Sequence, residues 1–122
     1  MSGRFHILIV EDEPLIVEVL QGTLESKYRV SSAHTVREAL AFLRTSHVDA
    51  VLLDSVLPDG RGAEVASIAY AHGAAVIEML GYPELIDGLE RSYRPHLCNP
   101  FGPEALLAAL ERALNADSRM DA

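Results

Sequence analysis

Three acids stand where apolar runs stop. Phe5-His6-Ile7-Leu8-Ile9-Val10 ends on Glu11-Asp12, and Ala50-Val51-Leu52-Leu53 ends on Asp54. Short apolar runs closed by turn residues read as strands buried on both faces. The acids then sit at strand carboxyl ends, where ligands bind in open α/β sheets. A lone Asp54 there could merely cap a strand. The Glu11-Asp12 pair changes its meaning. Neighbouring strands lie about 5 Å apart, so on adjacent strands these acids crowd one another. Two such charges about 4 Å apart repel by roughly 4 kcal/mol at an effective dielectric of about 20. A cation offsets that repulsion. One or two carboxylates with phosphate oxygens and water suit Mg²⁺. A carboxylate beside such an ion can attack a phosphoryl group, because the metal neutralises charge that builds up in transfer. These residues therefore point to an Mg²⁺ site of Glu11, Asp12 and Asp54 with an aspartyl nucleophile.

The positioning elements follow from the spacing. After the first strand, Pro14 suits the first turn of a helix. Leu15, Ile16, Val19, Leu20 and Leu24 recur there at helical spacing. Tyr28 to Ala33 is a short second strand with a polar face, expected at the sheet edge. Thr35-Val36-Arg37-Glu38 is a capping box opening a second helix with Val36, Leu40 and Leu43. Asp49 to Asp54 is the third strand, and Pro58 and Gly60 stop it. Gly62 to Ala71 reads as a third helix ended by Gly73. Ala75 to Leu80 is a fourth strand. Pro83 to Arg91 is a poor helix interrupted by Gly88. His96-Leu97-Cys98 is a short fifth strand. Pro103 opens a last helix striped by Leu106, Leu107, Leu110 and Leu114. Five strand-helix repeats predict an α/β fold, a parallel sheet with helices on both faces and right-handed crossovers.

The chain's 122 residues fit one domain, with a core at about 5–114 and a frayed tail over 115–122. About half of them are apolar, which argues against disorder. The net charge of −8 argues against nucleic acid and anionic membrane as partners. No apolar run approaches the roughly 18 residues of a membrane span. The single cysteine, Cys98, allows neither an internal disulfide nor a cysteine zinc cluster, and the expected location is the cytoplasm.

Taken together, Ile7 to Pro14, Val51 to Asp54, Leu57-Pro58-Asp59-Gly60 and Asn99-Pro100-Phe101 resemble the receiver domains of two-component response regulators. The resemblance covers about Phe5 to Leu114. It implies a flavodoxin-like five-stranded sheet in the order 2-1-3-4-5. It implies that Asp54 accepts a phosphoryl group from a sensor histidine kinase or a histidine phosphotransfer protein. It adds the Val56 backbone carbonyl to the Mg²⁺ ligands. It also makes the fourth and last helices a possible homodimer or partner face.

Three positions depart from the family pattern. Leu80 stands where receivers carry Thr or Ser, Asn99 where they carry Lys, and His96 where they carry a switch aromatic. Lys27 is the chain's only lysine and lies far along the sequence from Asn99. The expectation is an atypical single-domain receiver without an output domain, acting through protein contacts, with at most slow self-dephosphorylation. The alternative is a phosphorylation-independent docking module. A true aspartyl phosphatase would carry a second acid two residues after the nucleophile, and that residue is Val56. Glu78, in the middle of the fourth strand, is expected to pair with His96 or Arg94, or to reach the sheet's rim.

Overall fold

A computed structural model describes residues 4–54, 56–80, 96–98 and 102–121. Its elements run β1 (His6–Val10), α1 (Pro14–Leu24), β2 (Arg29–Ala33), α2 (Val36–Thr45), β3 (Ala50–Asp54), β4 (Val56–Leu57), β5 (Gly60–Arg61), α3 (Ala63–Ala71), β6 (Ala75–Leu80), β7 (His96–Cys98) and α4 (Pro103–Asp121). Five of the strands form a parallel sheet in the order β2-β1-β3-β6-β7. This is the doubly wound order expected from the sequence, with β2 at an edge. The expected helix at Pro83 to Arg91 lies outside the described residues, as do Arg94 and Asn99.

Side-chain alternation along the strands splits the core in two. Ile7, Ile9, Leu52, Ile77 and Met79 pack against Val17, Leu20 and Leu24 of α1 and Leu106, Leu110 and Leu114 of α4. Leu8, Val10, Val51, Leu53 and Val76 pack against Val36, Ala39 and Leu43 of α2 and Val65, Ala66 and Ala69 of α3. Each fully buried Leu or Ile contributes roughly 1.5–3 kcal/mol, so the central strands are held from both sides.

Three features differ from the sequence reading. The inward face of α1 is Val17, Leu20 and Leu24, while Leu15, Ile16 and Val19 are exposed. Leu15-Ile16-Val17 is apolar throughout, so spacing alone could not fix the helix rotation. The expected frayed tail is instead the last two turns of α4, which continues to Asp121. No Gly or Pro interrupts Asn115 to Asp121, so nothing there breaks the helix. Pro58 and Gly60 open not a loop but a hairpin, in which β4 pairs antiparallel with β5.

Helix ends follow their local chemistry. Thr35 accepts the Glu38 N–H at 3.0 Å, the first half of the expected capping box, while the Glu38 carboxylate accepts the N–H of His34, one residue before the cap, at 2.8 Å. Gly73 takes φ +85° just past α3, the left-handed conformation that ends helices. His6 is buried within β1. Its Nδ1 donates to the His47 carbonyl at 2.9 Å, and its Nε2 lies 2.8 Å from Ser31 Oγ. Those partners satisfy a polar ring inside the sheet.

Candidate functional site

β1 and β3 are neighbours, and Val10 is in register with Leu53. The residues that follow, Glu11 and Asp54, therefore emerge side by side at the carboxyl edge. Carboxylate oxygens of Glu11, Asp12 and Asp54 come within 4.8 Å of one another. Glu11 is buried, Asp54 half-buried and Asp12 exposed. The Glu11 backbone N–H is tied to the Ala33 carbonyl of β2 at 3.0 Å, which fixes the turn that delivers the acids.

Burial pushes the Glu11 carboxyl from its ordinary 4.5 up to about 7. The Glu13 N–H, donating to Glu11 Oε2 at 3.2 Å, pulls it down. The Asp54 charge and hydrogen bonds with the Asp12 and Asp54 side chains push it up. A metal-free cluster thus holds a proton close to neutrality, as crowded carboxylates do. All three donors are hard oxygens, and one side of the cluster faces solvent. That set fits a hard divalent cation that keeps water and accepts phosphoryl oxygens.

The remaining sequence-predicted residues fall around this cluster. Val56 opens β4, two positions past Asp54. Asp54 is in register with Met79, so Leu80 lies one residue further along β6, at the same edge. No hydroxyl is therefore supplied from that position. His96 is in register with Glu78, and Glu78 is buried, which excludes the rim position for Glu78. Asn99 lies outside the described residues.

Two residues that the sequence reading gave no site role, Asp59 of the motif and Gly62 at the start of the third helix, make close contacts beside the site. Asp59 accepts the Val36 N–H at 2.8 Å and the Arg37 N–H at 3.1 Å. A Cβ on Gly62 would stand 3.0 Å from Leu53 and 3.1 Å from the Asp54 carbonyl. The Pro-Asp-Gly turn signalled a bend, but nothing in the sequence announced contacts with a helix 23 residues away.

Residues 7–111 match the response regulator receiver domain family. The chain belongs to that family. The receiver is 35% identical over 115 residues to the uncharacterized transcriptional regulatory protein YkoG of Bacillus subtilis, covering 89% of this chain and 50% of the relative. It is 34% identical over 118 residues to KdpE, the KDP operon transcriptional regulatory protein of Escherichia coli, covering 93% and 52%. The chain spans about half the length of these curated relatives. Among solved structures, it resembles a CheY-like response regulator receiver domain protein from Methanospirillum hungatei. The TM-score is 0.86 at 27% identity, covering 97% of this chain and 99% of the other. Among the described residues, no helix of the receiver is long and apolar enough to cross a membrane.

Proposed function

We propose that Asp54 is the phosphoacceptor of a two-component pathway. Glu11, Asp12 and Asp54 would hold Mg²⁺, with the backbone carbonyl of Val56. The observation that carries this reading is the convergence of the three carboxylates within 4.8 Å from two adjacent strands. The donor is a phosphohistidine on a sensor kinase or a phosphotransfer protein, and the setting is the cytoplasm. An Asp54 carboxylate oxygen attacks the phosphorus. The P–N bond to histidine breaks, a P–O bond forms, and the histidine nitrogen leaves with the electron pair and takes a proton. Bound Mg²⁺ supplies compensation for the charge on the phosphoryl oxygens. Glu11, on giving up the proton that competes with the cation, and Asp12 would bind and orient. Later attack by water on the aspartyl phosphate returns the carboxylate and phosphate, a slow self-dephosphorylation rather than an enzymatic output. Signalling proceeds through protein-protein contact.

A second reading, a docking module indifferent to phosphorylation, is favoured by one observation: Leu80, without a hydroxyl, closes β6 at the site edge. Incubation with Mg²⁺ and acetyl phosphate, followed by intact mass measurement, separates the two. The wild type should gain one phosphoryl group and Asp54→Ala none. A wild type that gains none removes the first reading.

A further inference from the structure

The hairpin that follows Asp54 is seated on α2 by three of its residues. Val36 and Arg37 are the first two residues of α2, so their N–H groups have no partner within the helix. Thr35, the helix's own cap, satisfies Glu38 instead. Asp59 takes the other two, one on each carboxylate oxygen, at 2.8 and 3.1 Å. Those N–H groups hold its carboxyl below the usual range, that of Val36 foremost. Leu57 is buried in the same apolar cluster as Val36. Gly60 takes φ +155°, and a Cβ there would lie 3.6 Å from Val36 Cγ2.

The hairpin's far end is fixed as well. Gly62 fits closely against β3: a Cβ there would stand 3.0 Å from the Leu53 side chain and 3.1 Å from the Asp54 carbonyl. Residues 56–61 are thereby clamped between α2 and the end of β3. Val56 lies inside that clamp, two residues from Asp54.

We infer that Asp59 is a positioning residue for the cation site, holding the backbone of Val56 in place through α2. The inference rests on the proposed Mg²⁺ site. The competing account is simpler: an exposed carboxylate at a turn that caps a neighbouring helix and affects stability alone. The two differ in what happens to metal affinity.

The test is calorimetric titration of the metal-free protein with Mg²⁺, using wild type, Asp59→Ala, Asp59→Asn and Thr35→Ala. Thr35→Ala weakens the same helix end without touching the hairpin. Residues that orient metal ligands change affinity by about 10–100-fold on removal, so Asp59→Ala should raise the Mg²⁺ Kd by about tenfold. Thr35→Ala should lower the melting temperature but leave the Kd within about twofold, since it orients no metal ligand. Asp59→Asn keeps one acceptor oxygen and should fall between wild type and Asp59→Ala. Repeating the titrations in about 1 M KCl, where the Debye length is about 3 Å, removes any long-range charge contribution, and the order should persist. Equal Kd values for wild type, Asp59→Ala and Thr35→Ala overturn the inference and leave capping alone. A wild type that binds no Mg²⁺ overturns the site reading itself, a distinguishable result. Should Asp59→Ala fail to fold, Asp59→Asn carries the comparison.

Discussion

Glu78 of β6 lies in register with His96 of β7, and Glu78 is only 4% exposed. Along β6 it alternates with Ile77 and Met79, which pack on the α1 and α4 side. It therefore shares the opposite face with Val76 and Leu53, towards α2 and α3. Register partners on adjacent parallel strands lie about 4.8 Å apart. A carboxyl kept inside a sheet calls for a hydrogen-bonding partner, and the strand register makes His96 the residue to test.

A double-mutant cycle measures that pairing. Cross-strand polar pairs contribute roughly 0.2–1 kcal/mol. Glu78→Gln and His96→Gln should show a coupling of about 0.5–1 kcal/mol in urea unfolding at pH 6, above the scatter of independent sites. Additive losses would mean that the shared register brings no contact.

Gly62 gives a second prediction. Its φ of −64° suits alanine, so the backbone gains slightly from the substitution. The new Cβ, however, meets Leu53 at 3.0 Å and a backbone oxygen at 3.1 Å. Leu53 is itself buried, so it must shift within a packed core to make way. Overpacking of this kind costs about 1–3 kcal/mol. Gly62→Ala should lower the urea midpoint with an unchanged m-value. An unaltered midpoint would show that the Leu53 side chain yields freely.

What could be read from the sequence was set by how local each cause is. The apolar runs of β1, β3 and β6 were legible because buried strands need no alternation. The Thr35 cap on the Glu38 N–H was legible because its partners lie three residues apart. The Glu11, Asp12 and Asp54 cluster was legible because an acid ending a buried strand can only emerge at the sheet's edge. Nothing local reveals that Asp59 reaches Val36. The rotation of α1 was hidden because Leu15 to Leu20 is apolar on nearly every side. The neutral-pH proton on Glu11 was hidden too, since it depends on burial and on Asp54, brought in by another strand.

That proton sets a pH dependence. Glu11 rises from 4.5 to about 7 in the fold, so its protonated form is the one folding favours. The stability this contributes is complete below about pH 4.5 and is lost as pH rises through about 7. Metal-free protein should therefore unfold more easily at pH 8 than at pH 5.5, and Glu11→Gln should flatten that part of the profile. Mg²⁺ competes with the same proton, so its apparent affinity should fall about tenfold per pH unit below 7. An Mg²⁺ Kd that is the same at pH 5.5 and pH 8 would exclude Glu11 as a ligand.

The last prediction concerns the reporting of phosphorylation rather than its acceptance. Leu80 ends β6 in register with Cys98, one step past the level of Asp54, and Asn99 follows Cys98 in the chain. A neutral hydrogen bond contributes roughly 0.5–1.5 kcal/mol and a charged one roughly 1.5–3. Their loss removes about 2–4.5 kcal/mol of drive from a switch that needs about 5.5 to invert fully. Phosphorylated wild type should thus exchange the amide hydrogens of 76–80 and 96–98 much as the unphosphorylated protein does. Leu80→Thr combined with Asn99→Lys should make those segments differ between the two states, once each sample's phosphorylation is confirmed by mass. If the double variant is as indifferent as the wild type, the missing hydroxyl and ammonium are not what silences the switch, and the cause must lie elsewhere in β6 or β7.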